Sequence, residues 1–167
     1  MAGGLHPLAI FEGVSSTQAF STRTSTMALK IALKPHEKLI LGGAVVTNGN
    51  AKAELIIENA VPILREKDIL SADNTNTPCK RIYFIVQLMY VDEKNIATHQ
   101  ESYRSLVREL LDAAPSTLGL VDQISTQITG GGYYQALKIA KKLIAYEEEL
   151  ISYARSANGS LSNRTEE

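Results

Sequence analysis

Apolar and polar positions alternate with a period of two from about residue 27 to residue 70. Leu29, Ile31 and Leu33 interleave with Lys30, Ala32 and Lys34, the spacing of a half-buried strand. Pro35-His36 breaks the run. Leu39-Ile40-Leu41 follows and is closed by Gly42-Gly43. Val45-Val46 and Leu55-Ile56-Ile57 flank Asn48-Gly49-Asn50. Asn-Gly adopts positive φ readily, so this reads as a hairpin whose loop has room for more than two residues. A last short strand falls near Ile63-Leu64-Arg65. The pattern predicts a small antiparallel meander or barrel of about five short strands.

After a polar, turn-forming stretch from Asp73 to Pro78 the period becomes helical. Thr77 can cap a helix with Pro78 at its first position, where a missing N–H costs nothing. That helix, over about Pro78 to Val91, is apolar on most sides and should be the most buried element. A second carries Leu106, Val107, Leu110, Leu111 and Ala114 and is stopped by Pro115. A third carries Val121, Ile124 and Ile128 and ends at Gly130-Gly131-Gly132. A fourth, from about Tyr133 to Ala154, shows Ala136, Ala140, Leu143, Ile144, Glu147, Leu150 and Ile151 on one face. Four helices with short connections predict an antiparallel bundle.

The fold class is therefore α+β, a β module followed by a helical bundle of about four helices. The expected organisation is a disordered Ser/Thr-rich extension over 1–26, a β-rich module over 27–76, a helical domain over 77–155 and a flexible tail over 156–167. One reading takes Met27 as the true start of the protein.

Composition narrows the chemistry. The chain has 167 residues, 44% of them apolar, and a formal net charge of −1. Nucleic-acid binding must then come from a local basic patch rather than bulk charge. Cys79 is the only cysteine, which excludes an intramolecular disulfide and a Cys-based zinc site. Leu8-Ala9-Ile10-Phe11 is too short for a secretory h-region, and no apolar run approaches the length of a membrane span. The expectation is a cytoplasmic protein with no membrane partner. His6, His36 and His99 are widely spaced and sit in no ligand motif, and no nucleophile–base or paired-carboxylate arrangement suggests itself. Neither a catalytic role nor a cofactor or metal is expected.

Three segments carry a resemblance. "MALKIALKPHEKLILGGAVVTNGNAKAELIIENAVPILREKDIL", "NTPCKRIYFIVQLMYVD" and "GGYYQALKIAKKLIAYEEELI" are similar, in order and spacing, to the N-terminal region, core helix and C-terminal helix of the FlbT family, and cover nearly all of Met27 to Ile151. The resemblance implies a post-transcriptional regulator of flagellum biogenesis, which associates with the 5′ untranslated leader of flagellin mRNA and represses translation or promotes decay. RNA rather than DNA is the implied nucleic acid, and 27–76 the implied RNA-binding module.

The same module also resembles CsrA, a β-stranded translational repressor, through His36-Glu37-Lys38-Leu39-Ile40-Leu41-Gly42, Ile57-Glu58-Asn59-Ala60 and Leu64-Arg65-Glu66. In that family the first and last strands come from different subunits and flank the RNA site, and an Arg of the last strand is central. Arg65 matches its place. The segment before Arg65 is shorter here, and the basic run of the first strand is reduced to Lys30 and Lys34. This resemblance implies strand exchange, hence a homodimer or higher oligomer.

The candidate RNA-binding residues are Arg65, Lys30, Lys34 and Lys67, with Lys80 and Arg81 as a second group. If the last strand pairs beside the first, Arg65 and the strand-one lysines form one basic edge. The competing reading of Arg65-Glu66-Lys67-Asp68 is a solvated strand end whose charges protect an edge. Lys80-Arg81 opposes the helix macrodipole, so it either pairs with acids such as Asp73 or meets phosphate. Lys141-Lys142 and Glu147-Glu148-Glu149 read as a solvated face or a protein-docking surface. Tyr83, Phe84, Tyr90, Tyr133 and Tyr134 could stack on bases, though helical spacing favours core or helix-interface roles. The rival to RNA binding is a protein-interaction module, in which the helical half binds flagellin or a flagellar assembly factor.

Overall fold

Alternation in the first strand buries Ile31 and Leu33 and leaves Lys30 and Ala32 outside. The computed structural model describes residues 28–162, so the extension expected over 1–26 lies outside the described residues. Five strands come first: β1 (Leu29–Leu33), β2 (Lys38–Leu41), β3 (Ala44–Thr47), β4 (Ala53–Ile57) and β5 (Ile63–Arg65). They form two antiparallel sheets, β1–β4 and β3–β2–β5. Four helices follow: α1 (Pro78–Val91), α2 (Ile96–Ala113), α3 (Leu118–Thr129) and α4 (Tyr133–Ser162). The α+β class is as the sequence pattern predicts. α4 continues past residue 155, where that pattern ends the helical part, and residues 163–167 lie outside the described residues.

The hairpin falls elsewhere than the sequence suggests. β3 and β4 do not pair across Asn48-Gly49; β3 pairs with β2, and β4 with β1. The tight turn is Gly42-Gly43, both residues at positive φ (56° and 86°), which matches the right-handed twist of the flanking strands. Asn48 instead ties the crossover to the end of β1. Its side-chain amide donates to the carbonyls of Lys34 and Ala51 at 2.7 and 2.8 Å.

β2 is buried on both faces. Ile40 and its β5 partner Leu64 join the main core with Ile82, Val86, Met89, Ile124 and Leu143 of the helices. Leu41 and Ile63, on the opposite face, pack with Ile31, Leu33 and Ile57 of the β1–β4 sheet. The order of layers is thus small sheet, three-stranded sheet, helices. Strand parity places Arg65 with Ile63, on the face turned toward β1.

Candidate nucleic-acid interface

α1 positions the segment that carries Arg65. Thr77 caps it by accepting from the Lys80 N–H at 3.3 Å, and Pro78 opens it. Three side chains spaced along one face then grip the main chain of β5 and the residues beyond. Tyr90 accepts from the Ile63 N–H at 3.1 Å. The hydroxyl of Tyr83 donates to the Asp68 carbonyl at 2.6 Å. Buried Gln87 makes a double contact, accepting from the Leu70 N–H at 2.8 Å and donating to its carbonyl at 3.0 Å. The backbone from residue 63 to residue 70 is therefore fixed at three places, and Arg65 and Lys67 project from it.

Arg65 is oriented by β1 and by the turn that follows. One guanidinium nitrogen, Nη2, donates to the Ala32 carbonyl at 2.9 Å and to Glu37 Oε1 at 2.7 Å, and Nε donates to the same carboxylate oxygen at 3.2 Å. Nη1 makes no hydrogen bond among the described residues, and the Arg65 side chain stays 43% exposed against 12% for Glu37. The Glu37 carboxyl lies below the usual carboxylate range, because the Lys34 N–H and then Arg65 donate to it. His36 holds positive φ (61°) in this turn and donates its N–H to the Gly49 carbonyl.

Lys34, Arg65 and Lys67 come together around an open concavity of about 620 Å³, with Pro35, His36, Glu37 and Glu66. Three cations face two carboxylates, a local excess of one positive charge. Lys30 does not join them. It projects from the exposed side of β1 and pairs with Glu54 at 3.7 Å. The reason is pairing: β5 lies beside β2, not beside β1, and it is the Arg65 side chain that reaches from β5 to the first strand. Lys80 and Arg81 lie on the first turn of α1, outside this concavity, with no ion pair to Asp73 or any other acid among the described residues. What occupies the N-terminus of that helix is Glu147, whose Oε1 accepts from the Cys79 N–H at 3.2 Å. That carboxylate satisfies an orphan donor and complements the dipole.

Of the aromatics, Tyr83 and Tyr90 work as hydrogen-bonding struts rather than open stacking faces. This role was hidden in the sequence, because its signal is the spacing of Tyr83, Gln87 and Tyr90 on one helix face, and the partner atoms are main chain. Among the described residues no cluster of three His, Cys, Asp or Glu could hold a metal ion, and no helix is long and apolar enough to cross a membrane.

The family described as "Flagellar protein FlbT" matches residues 29–151. The chain belongs to the FlbT family. It is 48% identical over 125 residues to the "Probable flagellum biosynthesis repressor protein FlbT 1" of Bradyrhizobium diazoefficiens, covering 74% of this chain and 85% of that one. A FlbT relative in Rhodopseudomonas palustris is 42% identical over 126 residues, covering 75% and 99%. The "Flagellum biosynthesis repressor protein FlbT" of Caulobacter vibrioides is 39% identical over 132 residues, covering 78% and 94%. No solved structure matches. The FlbT match takes in both sheets, the Arg65 segment and α1 to α3, and stops within α4.

Proposed function

We propose that this FlbT-family chain is a cytoplasmic post-transcriptional regulator of flagellum biogenesis that binds the 5′ untranslated leader of flagellin mRNA. Occupancy of the leader lowers translation or exposes the message to host nucleases; neither outcome needs turnover by the protein. The relatives' names, which describe repressors of flagellum biosynthesis, support the regulatory part. The observation that carries the RNA part is Arg65, held by Ala32 and Glu37, 43% exposed, and with Nη1 unbonded among the described residues, on a concavity also lined by Lys34 and Lys67. A planar guanidinium suits phosphate oxygens and the faces of unpaired bases.

The test is purified protein titrated with flagellin leader RNA over a salt series. Affinity should fall with salt, with a log–log slope of about −0.7 per neutralised phosphate. Arg65→Ala should weaken binding by about 1–3 kcal/mol. Lys34→Ala and Lys67→Ala should cost less each and flatten the slope. Unchanged affinity in a folded Arg65→Ala protein rejects this site and moves attention to Lys80 and Arg81.

A second reading, docking of flagellin or an assembly factor, is favoured by one feature. The C-terminal part of α4 leaves Leu150, Ile151 and Tyr153 exposed, the last at 77%. Salt-independent absence of RNA binding, with flagellin retained on immobilised protein, would select it.

A further inference from the structure

Among the described residues the concavity at Arg65 is lined by cations but by no tyrosine, phenylalanine or tryptophan. Single-stranded nucleic acid is held by cations that track its backbone together with aromatic faces on which bases stack. Such a face lies one residue group away. Lys67 lines the Arg65 concavity and also a second one, of about 200 Å³, along the seam between β5 and α4. There it meets Asp68, Tyr134, Lys138 and Lys141. Asp68 is neutralised by Lys141 at 2.8 Å. Lys67 and Lys138 make no ion pair among the described residues, so the seam is net positive.

Tyr134 is the aromatic of this group that offers a face. The residue is 42% exposed and its hydroxyl makes no hydrogen bond among the described residues. Tyr90 supports it at 5.6 Å between ring centroids, tilted by 40°. Lys138, one helical turn further on, places its ammonium 4.6 Å from the ring centroid. A cation over an exposed ring is held weakly, more weakly than a stacked base. A base can therefore take the ring face while the displaced ammonium, on a long flexible stem, moves to the adjoining phosphate.

We propose, on the reading that Arg65 binds leader RNA, that the strand continues from Arg65 across Lys67 into this seam and stacks one base on Tyr134, with Lys138 on its phosphate. The site is then built from both halves of the chain. Arg65 and Lys67 come from the β half and the stacking platform from the first turns of α4.

The experiment measures binding of fluorescein-labelled oligouridine, on the order of 10 nucleotides, to the full chain and its variants by anisotropy. A second oligomer carries 5-bromouridine for photocrosslinking. Tyr134→Leu should weaken binding about tenfold, Tyr134→Phe should bind as the parent does, and Lys138→Gln should weaken binding several-fold and reduce the salt slope by about 0.7. The crosslinked peptide should contain Tyr134. Loss of binding in Arg65→Gln, with Tyr134→Leu and Lys138→Gln both unchanged, overturns the seam and leaves the Arg65 reading standing. No binding by the parent chain overturns both. Polyglutamate competing as well as oligouridine at equal charge would identify a docking surface for acidic protein and overturns stacking. Equal weakening in Tyr134→Phe and Tyr134→Leu does the same, because stacking does not use the hydroxyl.

Discussion

The hydroxyl of Tyr83 donates to the Asp68 carbonyl while its ring is buried against the helical core. Removing it tests how firmly the Arg65 segment is held. Tyr83→Phe keeps the ring and should destabilise by about 1 kcal/mol, the net worth of one such bond, read as a lower urea midpoint with an unchanged slope. Two buried acids also predict the response to alkali. Burial first, and the Asp68 carboxylate next, raise the Tyr83 phenol from its ordinary 10.0 to about 12. Burial first, and the Glu147 carboxylate next, raise the Cys79 thiol from 9.0 to about 12. The folded state holds both protons more tightly than the unfolded chain does. Their contribution is therefore complete below pH 9 and is lost as pH rises from 9 toward 12. Melting temperature should decline across that interval, and Tyr83→Phe should decline less steeply. A parent protein equally stable at both ends of the interval would contradict this. For the same reason Cys79 should resist thiol reagents in the native state and react on unfolding.

Among the elements, α1 joins the two halves. Its apolar side packs in the helical core, and its Tyr83, Gln87 and Tyr90 side chains bond to the main chain beyond β4. Gln87→Met conserves volume while leaving the Leu70 N–H and carbonyl without their partner. The cost should be about 2 kcal/mol, with faster amide exchange confined to residues 63–70. Uniform loss of protection over the whole chain would show that the segment does not open separately. The start of α1 was legible because Thr77 and Pro78 are local signals with local partners. Lys34 does lie beside Arg65, but not through the pairing of first and last strands that the sequence suggested, because β5 pairs with β2. The exclusion of Lys30 and the true hairpin were not legible. Gly42-Gly43 and Asn48-Gly49 are both hairpin signals, and what separates them is loop length. Two residues join β2 to β3, whereas five lie between β3 and β4. That longer crossover was free to leave β4 for β1, a choice made by packing between sheets rather than by the turn itself.

At the scale of the molecule, the β half presents edges. Among the described residues β3 bonds to one neighbour only, and its Val45 is 70% exposed; Leu29 and Ile56 are exposed on the β1–β4 sheet. Unpaired strand edges with apolar side chains are surfaces that proteins usually cover. We propose that two copies pair through this half, giving a homodimer or higher oligomer. Sedimentation at micromolar concentration should show more than a monomer, and Val45→Lys combined with Ile56→Lys should shift it to monomer without loss of helical signal. A monomer at every concentration would refute the proposal.

The contacts that fix residues 63–70 share one property. Tyr90, Tyr83 and Gln87 all bond to main-chain atoms, those of Ile63, Asp68 and Leu70. A grip on the backbone is indifferent to the side chains that the backbone carries. Substitutions at 65–67 therefore leave these three holds on the backbone intact, and what they give up is the side chains' own contacts, those of Arg65 to Ala32 and Glu37 and of Glu66 to the Lys38 N–H. The side chains that this stretch displays can be revised one at a time, and the scaffold that holds its backbone need not evolve with them.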